Sequence, residues 1–212
     1  MRVLLSAALA LATTTAHAGP VSFASGWAEQ KLSLFSSNDY SFGNQLSMTS
    51  NGSVSIAWTR VPSSDWGASA ASWNWSVSQS VPATDLSRKG RDDRNISVYF
   101  VFVPQSVAAS LQGAGIRSLL GCDDVRVMQY AWGGNNARGV PIASPYGKRG
   151  TGVTIPLQNA GTGSASESVN LSADYARAFG GEKGALIGLA VSGDSDDTKS
   201  VIQAAVGNLT LR

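Results

Sequence analysis

Alternation of apolar and small polar residues is the feature that most limits what this chain can fold into. The pattern is clearest in residues 53–58, which end in Trp58, and in residues 73–78, where Trp73 and Trp75 share one parity. A period of two is typical of strands that bury one face. We therefore expect both segments to be strands and their three tryptophans to pack in a core.

The segment Ile96–Val103 is apolar at nearly every position and rich in β-branched and aromatic residues. It is predicted to be a central strand that is covered on both faces. Weaker patterns predict further strands near residues 30–35, 40–48, 125–132, 152–157, 185–191 and 201–211.

Turn and cap residues separate these strands. Asn51-Gly52 is a strong hairpin signal. A short helix is predicted between Ser172, which would cap its start, and Gly180, which would end it, and a second helical turn is predicted at 106–111. Many short strands with little helix predict an all-β fold, namely a β-sandwich of the jelly-roll, galactose-binding-like type with one short helix.

The first 18 residues predict a secretory signal peptide. Arg2 precedes an apolar run at residues 3–12, and Ala16-His17-Ala18 has the small-x-small pattern of a cleavage site. Such a segment is too short to remain as a membrane anchor. We expect cleavage after Ala18, one domain over residues 19–212 without a transmembrane segment, and a periplasmic or extracellular location.

The composition of that mature chain disfavours several functions. The sole histidine, His17, would leave with the signal peptide, which excludes catalytic relays and metal sites built on imidazole. The sole cysteine, Cys122, cannot form an intramolecular disulfide. The full sequence has a formal net charge of only +2 and no basic run, which argues against a nucleic-acid partner.

Three aspartates, Asp194, Asp196 and Asp197, follow the apolar run at 185–191. Clustered carboxylates suit calcium, which binds several oxygen ligands in flexible geometry, and these three would be its ligands. The same cluster would also suit a turn whose side chains bond the backbone, or proton transfer in catalysis. The sequence leaves these three interpretations open.

A second charged segment, residues 89–94, precedes the central strand. If the strands at 96 and 185 are antiparallel neighbours, the start of one lies near the end of the other. Asp92 and Asp93 would then approach the aspartates at 194–197, and the repulsion would require a cation, a basic residue or a polar ligand. Lys89 and Asp93 are therefore candidate ligand-binding residues.

Loop aromatics and amides supply further candidates for ligand binding. Trp66 and Tyr146 lie in loop-like stretches near prolines and are predicted to be exposed for stacking on sugar rings. Trp132 leads into a loop that contains Asn135, and an amide donates and accepts hydrogen bonds as sugar hydroxyls do. Core packing and ordinary turns are the competing explanations.

Several spaced motifs resemble a family of secreted bacterial proteins of unknown function, DUF3047. The motifs are WNWSV at 73–77, KGRDDRNISVYFVF at 89–102, YAW at 130–132, SPY at 144–146, DYARAFG at 174–180, LIGLAVSGDSDDT at 186–198 and GNLTL at 207–211. The resemblance implies an exported β-sandwich without an established activity. It also marks individual positions as family positions, namely Lys89, Asp92, Asp93, Tyr130, Trp132, Pro145, Tyr146, Asp174, Tyr175, Asp194, Asp196 and Thr198.

The chain departs from the family pattern at two positions. Ser97 stands where the family usually has arginine, and Asn208 stands where it has aspartate. The resemblance therefore suggests that an ion pair between these two positions has been lost.

These features predict a non-enzymatic domain that binds carbohydrate or a cell-surface glycan, assisted by a cation such as calcium. The alternative is a carbohydrate-active enzyme in which Asp92 or Asp93 pairs with Asp194 or Asp196, because glycoside cleavage needs two carboxylates and no histidine. A second alternative is a structural envelope protein whose acidic residues only form turns.

Overall fold

The structure, a computed structural model, describes residues 19–33, 36–146 and 150–212, so the predicted signal peptide lies outside the described residues. The helices are α1 (Gln105–Leu111), α2 (Ile116–Leu120) and α3 (Leu171–Phe179). The strands are β1 (Gly19–Pro20), β2 (Ala28–Lys31), β3 (Asp39–Phe42), β4 (Gln45–Asn51), β5 (Ser55–Arg60), β6 (Ala70–Gln79), β7 (Arg94–Val103), β8 (Arg126–Trp132), β9 (Ile142–Ala143), β10 (Gly152–Gln158), β11 (Gly163–Asn170), β12 (Ala185–Asp194) and β13 (Val201–Leu211).

The strands form two sheets that pack face to face. The first sheet has the order β11-β6-β13-β4-β3, with β1 also paired to β13, and the second has the order β2-β5-β12-β7-β8-β10-β9. Within them, β4-β13-β6-β11 and β5-β12-β7-β8 have the strand orders of the two halves of a jelly roll, in which the chain alternates between sheets. The predicted β-sandwich of jelly-roll type is confirmed.

Aromatic side chains fill the space between the sheets. Trp73 on β6 lies 6.1 Å from Phe100 on β7 and 5.6 Å from Tyr130 on β8, measured between ring centroids. Trp75 packs edge-on against Trp132 at 5.7 Å. All five rings are buried, so the predicted core positions of Trp73 and Trp75 are confirmed.

Trp58 does not point into this core. Ala57 pairs with Val191 and is fully buried, whereas Trp58 pairs with Ala190 and is half-buried on the outer face of the second sheet. The alternation in β5 identified a strand correctly, but its apolar side chains face away from the first sheet. They can do so because the segment with α1 and α2 covers part of this outer face.

Two local predictions are corrected by the structure, and some elements were not predicted. Asn51 and Gly52 do not close a hairpin, because β4 and β5 belong to different sheets. The start of α3 is capped by Asn170 rather than Ser172, since its Oδ1 accepts a hydrogen bond from the backbone N–H of Ala173 at 2.9 Å. Strands β1, β9 and β11 and helix α2 were not predicted, and β11 is a serine-rich edge strand whose two apolar residues, Ala165 and Val169, pack against the core.

No helix among the described residues is long and apolar enough to cross a membrane. Cys122 is a free, half-buried cysteine.

Candidate ligand-binding groove

The two acidic segments meet at one end of the second sheet. Strands β7 and β12 are antiparallel neighbours, and their register places Arg94, the first residue of β7, opposite Asp194, the last residue of β12. The residues before β7 and after β12 therefore leave the sheet side by side. The predicted convergence of these segments is confirmed.

Arg94 connects the two segments through its guanidinium group. Its Nη1 donates to Asp92 Oδ2 at 3.3 Å and to Asp194 Oδ2 at 3.1 Å, and its Nη2 donates to the Tyr99 hydroxyl at 3.1 Å. The side chains of Arg94, Asp92 and Asp194 are 11%, 5% and 11% exposed. One buried cation therefore serves two buried carboxylates.

Asp93 has a different role, because both of its oxygens bond the turn after β12. Its Oδ2 accepts from the backbone N–H of Thr198 at 2.7 Å and from the Thr198 hydroxyl at 2.6 Å, and its Oδ1 accepts from the backbone N–H of Asp197 at 3.3 Å. Asp93 is fully buried. It fixes the aspartate-rich turn onto the start of β7, and its burial leaves it inaccessible to a large ligand in this structure.

Three carboxylates form a group that could hold a metal ion. Oxygen atoms of Asp93, Asp196 and Asp197 all lie within 4.8 Å of one another, and their exposure rises from the first residue to the last. The predicted set contained Asp194 in place of Asp93. The structure turns Asp194 toward Arg94 instead, because the ion pair offsets the cost of burying both charges.

Two buried polar atoms of this cluster lack a partner among the described residues, namely Asp194 Oδ1 and Arg94 Nε. Burial raises the pKa of Asp194 to about 7, and although Arg94 opposes this rise, the neighbouring aspartates add to it. Burial lowers the pKa of Arg94, but Tyr99, Asp194 and Asp92 together raise it above its ordinary value. The guanidinium therefore stays charged while the Asp194 carboxyl can gain or lose a proton near neutral pH.

A groove of about 420 Å³ runs from this cluster across the outer face of the second sheet. Its charged end contains Arg94, Asp194 and Asp196, and its lining continues over apolar side chains such as Ile56 and Val127. Tyr99 belongs to both parts, since its hydroxyl bonds Arg94 while its ring lies in the groove.

Tyr146 stands at the rim of this groove. Its hydroxyl donates to Asp92 Oδ1 at 2.8 Å, and its ring, in a residue that is 45% exposed, is available to a ligand. Burial of the hydroxyl, with its bond to Asp92, raises the pKa of Tyr146 above its ordinary value. The Lys89 Nζ lies 5.4 Å from the ring centroid, so the predicted candidates Lys89 and Tyr146 lie together beside the acidic cluster.

The other predicted ligand-binding residues are not in the groove. Trp66 is only 9% exposed and its indole N–H donates to the Val61 carbonyl at 3.0 Å, so it is a core residue rather than an exposed platform. Trp132 is buried against Trp75. Asn135 is exposed, but it lies in a loop that does not line the groove.

The two departures from the family pattern do not face each other. Ser97 is on β7 in the second sheet, where it accepts a hydrogen bond from Gln129 Nε2 at 2.9 Å, and Asn208 is on β13 in the first sheet. The suggested ion pair between these positions is therefore corrected.

The sequence did not single out Tyr99, Gln129 or Ser192 as lining residues. What could have identified them is their position in the strands, because paired residues of neighbouring strands point to the same face of the sheet. Tyr99 pairs with Gln129, and Ser192 pairs with Ser97, which has the same parity as Tyr99. Once β7 is placed between β8 and β12, all of these residues fall on the outer face.

Comparison with known proteins gives one family and a set of similar structures. The family model described as "Protein of unknown function (DUF3047)" matches residues 25–210. No curated protein matches the chain. Among solved structures, the chain is similar to the xyloglucanase domain of NopAA, a type three effector from Sinorhizobium fredii, in complex with cellobiose. The sequence identity is 10% and the TM-score is 0.46, and the similarity covers 88% of this chain and 93% of that chain.

Proposed function

The chain belongs to the DUF3047 family of proteins of unknown function, and we propose that it is an exported domain that binds a neutral carbohydrate in the groove beside Arg94 and Asp194. Binding, rather than catalysis, is the leading function. The sugar would lie across the rim at Tyr146 with its hydroxyl groups at the charged end.

The observation that carries this proposal is the pair of unsatisfied buried atoms at that end. Asp194 Oδ1 is an acceptor and Arg94 Nε is a donor, and neither has a partner in the described part of the chain. Leaving such atoms buried and unpaired costs about 1–3 kcal/mol each. Because a hydroxyl donates and accepts at once, sugar hydroxyls can satisfy both atoms.

The rest of the groove supports the same ligand class. An aromatic face covers the apolar C–H face of a pyranose, and Tyr146 offers such a face at the rim. Carboxylates outnumber Arg94 at the charged end, where Asp92, Asp194 and Asp196 lie close together. An anionic sugar would be repelled there, so a neutral one is favoured.

Binding of neutral oligosaccharides by residues 19–212 can be measured by glycan array and titration calorimetry. We expect Tyr146→Ala to weaken binding about tenfold by removing the exposed ring, and because it also removes the hydrogen bond to Asp92, its melting temperature is measured alongside. Phe42→Ala is the matched control, since Phe42 is 40% exposed but lies on the first sheet. Absence of binding to every polysaccharide, with and without calcium, would reject the proposal.

Calcium is the cation that we propose for Asp93, Asp196 and Asp197. Oxygen ligands at flexible geometry are its preference. Burial, together with repulsion from Asp93 and Asp196, raises the pKa of Asp197. A bound cation would relieve this repulsion. Calcium at about a hundredfold excess over its Kd should stabilise the fold by about 2.7 kcal/mol, and Asp197→Asn should remove that gain. An unchanged melting temperature on adding calcium to the parent protein would count against the site.

A hydrolase is the second candidate, and the protonation of Asp194 favours it. A general acid works best with a pKa near the working pH, and the pKa of Asp194 is raised to about 7. Asp196 lines the same groove and would be the second carboxylate, whereas Asp92 and Asp93 are not among its lining residues and are hydrogen-bonded by Tyr146 and Thr198. Release of reducing ends from a bound oligosaccharide, abolished by Asp194→Asn, would replace the binding function with this one.

Export is part of the proposal and has its own measurement. Expression of the full chain in a bacterial host should yield a periplasmic or secreted protein whose intact mass begins at Gly19. A protein that stays in the cytoplasm with its first 18 residues attached would contradict it.

A further inference from the structure

A partly covered apolar cavity of about 80 Å³ lies on the same outer face as the groove. Its floor is the second sheet, at Trp58, Val101 and Ala190, and its cover is the segment of α1 and α2, at Leu111 and Leu119. The side chains that line it are almost all apolar. It is therefore suited to a hydrocarbon group and not to water.

The cavity and the groove are adjoining parts of one surface. They share four lining residues, Ile56, Tyr99, Val125 and Val127. A molecule at the charged end therefore has a continuous apolar path into the cavity.

Arg60 ties the cover of the cavity to the sheet. Its Nη2 donates to the carbonyls of Gly113 and Ala114 at 3.2 and 3.1 Å, and its guanidinium carbon lies 5.0 Å from the Trp58 ring centroid. The link between cover and β5 is thus polar and fixed at the edge. Side chains do not interdigitate fully beneath it, although protein interiors are ordinarily close-packed.

An apolar void loses dispersion contacts that a filled one would have, so its retention beside a ligand groove suggests an occupant. We propose that the carbohydrate ligand carries an alkyl or acyl chain and that this chain occupies the cavity while the sugar occupies the groove. This inference rests on the proposed function and narrows its ligand to a glycoside with a hydrocarbon substituent.

The test compares methyl and octyl β-D-glucopyranoside, below the micelle concentration of the latter, by titration calorimetry on residues 19–212. The octyl glycoside should bind at least about tenfold more tightly, because each buried methylene adds affinity. Ala190→Leu should abolish that gain by filling the cavity floor, and the smaller Ala190→Val should reduce it partly. Ala205→Leu is the matched control, since Ala205 is half-buried on the outer face of the first sheet.

The outcomes separate this inference from the proposed function. Equal affinity for the two glucosides, or an octyl gain that the folded Ala190→Val and Ala190→Leu proteins keep, overturns the inference and leaves sugar binding intact. Octanol binding as tightly as octyl glucoside, with the same sensitivity to Ala190→Leu, would retain the cavity as a chain site but reject the sugar. No binding of either glucoside or of any neutral oligosaccharide rejects both.

Discussion

At the scale of single residues, the charged end of the groove depends on one guanidinium shared by two carboxylates. Removing either partner of a buried pair costs more than the pair contributes, because the remaining charge stays buried. Arg94 contacts Asp92 and Asp194 at 3.3 and 3.1 Å, so it is the residue whose loss would most disturb this end of the sheet.

Asp194 gives the protein a pH-dependent stability. Its pKa is about 7 when folded and 3.8 ordinarily, so between these values the folded state binds a proton that the unfolded state releases. Stability should therefore fall as pH rises from about 4 to 7 and then level off. We expect a loss of about 2 kcal/mol between pH 5 and 8 in urea unfolding, and a flatter profile for Asp194→Asn.

Few other groups obscure this measurement, because the only histidine of the chain is His17 and lies before residue 19. A profile for Asp194→Asn as steep as that of the parent protein would assign the titration to another group, with Asp197 the next choice because its pKa is also raised.

Asp93 should matter more for stability than its neighbour Asp196. Asp93→Ala removes the acceptor of three hydrogen bonds and leaves the Thr198 hydroxyl without its partner, so we expect a loss of about 2 kcal/mol or more. Asp196→Ala removes a half-buried carboxylate with no hydrogen bond in the described structure and should change stability by less than about 0.5 kcal/mol. Chemical denaturation of both variants in calcium-free buffer tests the difference, and equal losses would contradict it.

Sequence patterns predicted part of this site and missed part of it for identifiable reasons. The charges at 89–94 and 194–197 were identifiable because they interrupt a chain poor in charge, and strand adjacency brought them together. Burial of Trp66 was not predictable, because a loop position four residues after Pro62 indicates a turn and not how deeply the side chain is buried. The hydrogen bond from Tyr146 to Asp92 was not predictable either, because sequence patterns do not show which loops lie close together in space.

At the scale of strands, Gly193 lies at a register irregularity of β12, between Ser192 and Asp194. A side chain there would overlap Met48 Cε from the first sheet and lie 2.7 Å from the Asn95 carbonyl oxygen of β7. The absence of a side chain thus allows the sheets to approach closely where Asp194 leaves the strand. Bulges and close contacts of this kind are common next to functional sites.

Gly193→Ala should therefore destabilise the protein by about 2 kcal/mol or more, since the backbone carbonyl of Asn95 cannot be displaced as a flexible side chain can. Gly67→Ala is the matched control because no atom lies within 4 Å of its would-be Cβ. Thermal unfolding of the two variants measures the effect. A similar melting temperature for both variants would mean that Met48 and β7 can move to accommodate the added methyl group without a loss of stability.

Strands were predictable where burial imposed a pattern and not where pairing alone formed them. Both faces of β7 are largely buried and its apolar run was clear, whereas β11 contains three serines and is a strand because it pairs with β6 over eight residues. The sequence also did not show which way the apolar side chains of β5 point. Its alternation is the same whether they face the other sheet or the outer surface.

At the scale of the whole molecule, one aromatic cluster joins the two sheets, so they should unfold together. Trp73→Leu should cost about 3 kcal/mol, because the ring contacts Phe100 and Tyr130 across the interface. Trp27→Leu removes a ring that is only partly buried at the edge of the core and should cost about 1 kcal/mol. Fluorescence and circular dichroism should give coincident transitions, and separated transitions would show that the sheets unfold independently.

The position of β12 between β5 and β7 determines when, during synthesis, the second sheet can form completely. Nine strands from β3 to β11 are synthesised before it, yet the two strands that flank it cannot be joined in the native order without it. Nascent or C-terminally clipped copies that end before residue 185 would lack β12, and with it one wall of the groove, altogether. Under the proposed function, such fragments could not bind the sugar, so most of the chain must be translated before any copy could do so.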